Sequence, residues 1–73
     1  MKQMLSFKNY FATFHFDARD NVFIGHLTGI TDILSFHGES RIELIQAFED
    51  AVNGYIELSE KLGVKPQISI QEG

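Results

Sequence analysis

A chain of 73 residues makes one domain, residues 1–73, and a domain of this size buries only about 60% of the surface its unfolded form exposes. A hydrophobic fraction of 44% with seven Phe excludes a disordered chain, yet the thin core leaves stability marginal unless copies associate, so a homodimer or higher oligomer is expected. The absence of Cys excludes a disulfide framework and a thiolate metal site and agrees with a cytoplasmic location, while a formal net charge of -4 disfavours nucleic acid and favours a basic protein partner.

Residues 1–8 carry neither the basic region nor the apolar run of a signal peptide, and no apolar stretch in the chain approaches the ~20 residues that span a bilayer. Within them Met4, Leu5 and Phe7 are possible strand positions, either a short edge segment or the start of the first strand. From Tyr10 the pattern is strict. Tyr10, Ala12, Phe14 and Phe16 alternate with Phe11, Thr13, His15 and Asp17, the period of a half-buried strand. Ala18-Arg19-Asp20-Asn21 closes a hairpin, because Asp and Asn tolerate turn conformations and bond their own backbone. Residues 22–27 alternate again, with Phe23, Gly25 and Leu27 on one face and Val22, Ile24 and His26 on the other. Residues 28–32 turn the chain, and residues 33–37 form a third strand with Leu34 and Phe36 in the core phase. The three strands read as an antiparallel meander.

Ser40 and Glu43 form a Ser-x-x-Glu capping box, which starts a helix. Leu44, Ile45, Phe48, Ala51, Val52, Tyr55, Leu58 and Leu62 recur at three- and four-residue spacing as its apolar stripe. Gly63 supplies a left-handed cap and Pro66 prevents resumption. Gly54, inside the helix, costs ~1 kcal/mol relative to Ala, so either a neighbour packs close to it or the helix tolerates a weak point. Residues 67–71, with Ile68 and Ile70 in alternation, are long enough for a final strand, parallel to the first because a helical crossover precedes it. The fold class is α+β in the order β-β-β-α-β, a three-stranded meander with one helix on one face and the last strand beside strand one.

His15, His26 and His37 fall on the face away from the helix. In the expected register His15 and His37 flank Ile24, two strand spacings or ~10 Å apart, too far to share a zinc ion. A metal-dependent nuclease needs several carboxylates converging from strand positions, and the strands carry only Asp17. No nucleophile triad, phosphate loop or dinucleotide fingerprint occurs, and Gly25, Gly29 and Gly38 read as turn or close-packing positions. No catalytic, cofactor-binding or metal-ligating residue is therefore assigned. One helix covers one side of the sheet, leaving Phe11, Val22, Ile24 and Ile33 exposed to a partner on the other. The candidate interface is Phe11, His15, Val22, Ile24, His26 and Ile33. The alternative is that the N-terminal segment folds over this face.

Tyr10, Phe16-Asp17, Phe23-x-Gly25, Gly29-Ile30-x-Asp32, Phe36-x-Gly38-x-Ser40, Glu43-Leu44, Ala47-Phe48, Ala51-Val52, Tyr55, Gly63 and Pro66 stand in an ordered series. That series resembles the N-terminal domain of HicB family antitoxins. The resemblance implies a partial RNase H-like fold without the RNase H carboxylates. It also implies an antitoxin that binds a small, basic, RNA-binding HicA-like toxin and masks its active site. The chain departs from the family in two places. Many HicB-like proteins continue into a DNA-binding domain, whereas this sequence stops at Gly73, so direct DNA binding is not expected of it. Asn53-Gly54 replaces a pair that is usually acidic. Two other readings are an orphan oligomerisation or regulatory domain of the same fold, and a degenerate RNase H-like nuclease.

Overall fold

Strict alternation from Tyr10 to Asp17 makes one long strand, and the chain on either side folds back along it. The computed structural model describes residues 3–30 and 34–66. Strands β1 (Met4–Phe7), β2 (Tyr10–Asp17), β3 (Val22–Thr28) and β4 (Ser35–Gly38) form one antiparallel sheet in sequence order, followed by helix α1 (Arg41–Leu62). The architecture is α+β. The expected strand over residues 67–71 lies outside the described residues, as does Ile33 at the expected start of the third strand.

The segment before Tyr10 is a strand in its own right. Lys8 (φ 51°) and Asn9 (φ 66°) both adopt the left-handed conformation, the two-residue hairpin loop whose twist matches its flanking strands. This hairpin places β1 on the edge of β2 away from β3. At the next turn the Asp17 carboxylate accepts from the Arg19 N–H at 2.9 Å, and Asn21 (φ 53°) takes the left-handed position, so the polar tetrad closes the β2–β3 hairpin as its residue types predict. Leu34 precedes β4 rather than belonging to it. Its carbonyl still accepts from the Leu27 N–H at 3.0 Å, and its side chain packs against the core.

Tyr10, Ala12, Leu27 and Phe36 from the sheet meet Leu44, Phe48 and Val52 from the helix in a single core. Phe48 is its centre, with its ring 6.4 Å from Phe7 on one edge strand and 5.3 Å from Phe36 on the other. Two glycines make room for this packing, one within the sheet and one between the sheet and the helix. A Cβ at Gly25 would run into the Phe36 ring, and one at Gly38 would meet the backbone of Glu43 and Leu44. The first turn of α1 thus rests directly on β4.

Ser40 caps that turn in extended conformation, its Oγ accepting from the Glu43 N–H at 3.2 Å. The Glu43 carboxylate in turn accepts from the Ser40 hydroxyl at 3.5 Å. Gly63 (φ 72°) ends the helix, with its own N–H and that of Val64 returning to the carbonyls of Glu60 and Ser59. Nothing lies within 4 Å of a Cβ built at Gly54, so this residue is a tolerated weak point and not a close contact.

The helical stripe needs correction. Leu44, Phe48 and Val52 are buried, but Ile45, Leu58 and Leu62 are 41%, 56% and 67% exposed, and Ser59 is buried instead. Ile45 is rotated ~100° from Leu44 and faces the flank of the stripe. Leu58 is rotated ~100° from the buried Ser59 and faces the other flank, whereas Leu62 keeps the right phase but stands in the last turn, past the sheet. A 22-residue helix is ~33 Å long, whereas the eight residues of β2 span only ~27 Å. Tyr55 already packs edge-on against Tyr10, the first residue of β2, with ring centroids 6.0 Å apart.

Tyr10 itself is an exception inside the core. Its side chain is buried, and its hydroxyl finds no hydrogen-bond partner among the described residues. Loss of hydration, with the nearby Tyr55 hydroxyl adding to it, pushes the Tyr10 phenol above its usual pKa of 10.0.

Candidate protein-interaction face

Because strand side chains alternate, the residues between the core positions all project to the opposite side of the sheet. The registers order them in rows. Met4, Thr13, His26 and Ser35 form one; Ser6, Phe11 and Thr28 another; His15, Ile24 and His37 a third; and Asp17 and Val22 the last. Five of the six residues predicted for the interface therefore share this face: Phe11, His15, Val22, Ile24 and His26. Ile33 lies outside the described residues. Phe11, Val22 and Ile24 are half-buried among their row neighbours, and the two histidines are exposed. No helix or strand among the described residues lies over the face. The N-terminal segment, from residue 3, extends the sheet at its edge instead of folding across it.

The third row has the arrangement that the sequence implies. His15 and His37 stand on either side of Ile24, two strand spacings apart, and among the described residues no three His, Asp or Glu side chains gather as a metal site. Missing from that reading is the diagonal. Since Thr13 opposes His26 and Ile24 opposes His15, His26 is the diagonal neighbour of His15, and their rings stack at 6.4 Å with 23° between planes. The same register used to separate His15 from His37 would have found this pair, because diagonal side chains remain within reach on an antiparallel sheet.

Two features border the face. At the hairpin end, Val22 and His37 join Asp20, Gly38, Glu39 and Glu43 around a cavity of about 450 Å³. Its three carboxylates place negative charge beside the apolar positions. On the helix side of the same hairpin, Phe16 and Phe23 pack at 4.9 Å and Phe14 and Phe23 at 6.2 Å. Phe16 is in the core phase yet 46% exposed. The Arg41 guanidinium caps the other end of this cluster, 5.9 Å from the Phe14 ring and donating to the Gln3 side-chain oxygen at 3.1 Å.

Elsewhere the ionic contacts are on the surface. Lys8 donates to the Asn53 side-chain oxygen at 2.8 Å, tying the β1–β2 turn to the middle of the helix, and Asp17 pairs with Arg19 at 4.0 Å. Exposed pairs of this kind contribute at most about 1 kcal/mol. They leave the apolar sheet face as the main candidate for binding. No helix among the described residues is long and apolar enough to cross a membrane. Compared with protein-family models, curated proteins and solved structures, the chain matches none.

Proposed function

We propose that this protein is an antitoxin-type inhibitor that binds a small basic, HicA-like mRNA-cleaving toxin in the cytoplasm and masks its active site. The observation that carries the reading is the sheet face with no described element over it, which combines Phe11, Val22 and Ile24 with an acidic border. Burying apolar area contributes about 25 cal/mol per Å² before the costs of association. Complementary charge steers a cationic partner and, by the same sign, repels the RNA which that partner would bind. The described elements run β-β-β-β-α: after the added edge strand β1, three strands and the helix follow the order that the HicB resemblance implies, as far as the described residues reach.

Coexpression with the product of a neighbouring reading frame of basic, toxin-like composition tests the proposal. The two proteins should copurify, and growth arrest by the neighbour should be relieved by this chain. Equal toxicity with and without it would overturn the antitoxin reading, and copurification without relief would favour the oligomerisation or regulatory domain.

Ile24 is the residue through which to examine the face, since it lies at the centre of the His15–Ile24–His37 row and points away from the helix. Ile24→Asp is expected to weaken partner binding at least ~10-fold, equivalent to 1.4 kcal/mol, while the thermal unfolding transition is retained. Phe11→Asp, on the neighbouring strand, should act likewise. If either variant unfolds while those that stay folded bind the partner as the wild type does, the face is not the binding surface.

A further inference from the structure

We propose that His15 and His26 are one half of a transition-metal site, completed by the same two residues of a second copy, so that one ion clamps two chains through the open sheet face. This goes beyond the toxin-inhibitor reading and does not depend on it. The first support is distance. A metal-nitrogen bond of ~2.0–2.1 Å and a ring nitrogen ~1.1 Å from the ring centre put an imidazole centroid ~3.2 Å from its metal. Two imidazoles on one ion then have centroids at most ~6.4 Å apart, and ~5.2 Å apart at a tetrahedral angle. The observed separation is 6.4 Å. Both side chains are exposed, so rotation about their Cα–Cβ bonds can close the remaining ~1 Å, and the broad torsional well of each ring then lets its nitrogen turn inward from the stacked arrangement.

Ligand chemistry gives the second support. Neutral imidazole suits Zn²⁺, Ni²⁺ and Cu²⁺, whereas Mg²⁺ and Ca²⁺ select oxygen donors. Strand register, Thr13 opposite His26 and His15 opposite Ile24, holds the two backbone positions as diagonal neighbours, so only the side chains have to be ordered when the ion arrives. His37 does not complete the set, since Ile24 separates it from His15 and no third ligand joins the pair among the described residues.

The occupant of the face follows from this incompleteness. A closed zinc site takes four protein ligands, and this chain brings two. Isologous pairing about a two-fold axis presents the same patch on both subunits and supplies the other two without any new residue type. Each copy carries a formal -4, so two copies repel one another and pairing depends on the ion. The join would also cover Phe11 and Ile24, so metal-linked pairing and capture of a protein partner would exclude one another.

The test uses the full chain with Zn²⁺ alone, followed by sedimentation velocity and isothermal titration calorimetry. Half an equivalent of Zn²⁺ per chain should double the mass relative to the metal-free protein, and EDTA should reverse the change. His15→Ala and His26→Ala should each lose the response, and His37→Ala should keep it. Circular dichroism confirms that each variant is folded, with His15→Gln and His26→Gln as replacements for any that is not. A His15 or His26 variant that still doubles in mass, an equal loss in His37→Ala, or zinc binding without a change of mass each overturns the proposal.

Discussion

Replacing Gly38 by alanine should destabilise this domain by about 3 kcal/mol or more. The added Cβ would come within 2.7 Å of the Glu43 carbonyl carbon and 2.9 Å of the Leu44 Cα, where carbon atoms normally stay at about 3.5–4.0 Å. These are main-chain atoms of a capped turn, in which the Leu44 N–H is bonded to the Ser40 carbonyl at 2.9 Å, so no flexible side chain can yield. The whole first turn would have to lift from β4. Overpacking costs about 1–3 kcal/mol where side chains can adjust, and an immovable backbone places this case at or above the upper end. A 73-residue domain has roughly 4–11 kcal/mol in total. Urea denaturation should show a loss of about 3 kcal/mol or more, with Gly54→Ala, where the new methyl meets nothing within 4 Å, as the control that gains stability. A Gly38→Ala variant within 1 kcal/mol of the wild type would mean that α1 does not rest on β4.

Phe48→Ala is expected to be comparably severe for the opposite reason. The ring joins Phe7 on β1 to Phe36 on β4, so its loss opens a cavity under the full width of the sheet. Truncation of a buried Phe costs about 3–5 kcal/mol, and in a domain of this size each kcal/mol lowers Tm by roughly 4–8 °C. Thermal unfolding followed at 222 nm should therefore shift down by at least ~12 °C, or show no cooperative transition at all. A shift below ~5 °C would place the centre of the core elsewhere. Ile45→Ala, at an exposed position of the same helix, should leave the melting curve nearly unchanged.

Which of these positions matter was only partly legible in the sequence, and the division has a physical basis. Alternation from Tyr10 to Asp17 and from Val22 onward determines which side of the sheet each residue faces, because a slip of one residue would move every side chain to the other face. That is why Ala12, Leu27 and Phe36 were correctly assigned to the core and Phe11, Ile24 and His26 to the opposite face. The capping residues Ser40 and Gly63 were legible because they satisfy backbone groups within their own turns. Extent is a different matter. Phase in a helix says nothing of where the sheet beneath it ends, so Leu62 reads as buried, and spacing alone does not fix the width of the stripe, so Ile45 and Leu58 on its flanks read as buried too. Likewise Phe16, which lies in phase at the hairpin end of β2, is nearly half exposed. The edge strand β1 was ambiguous because its turn, Lys8-Asn9, lacks the glycine that commonly marks two left-handed residues in a row. The His15–His26 pair depends on a diagonal, which an element-by-element reading passes over.

The Tyr10 hydroxyl, without a hydrogen-bond partner among the described residues, has a consequence for behaviour in alkali. The folded chain holds the phenol proton more tightly than the unfolded chain, for which the pKa is near 10.0. Below that pH both states are protonated and the contribution of the group to stability is present in full. As the pH rises above 10, the unfolded chain releases the proton first, and stability falls until the raised native pKa is passed. Tyr10→Phe should flatten this decline in a series of urea midpoints between pH 9 and 11, where an unchanged slope would show that the phenol is hydrated in the folded state. The core at the β1–β2 end would then open in base through one oxygen atom.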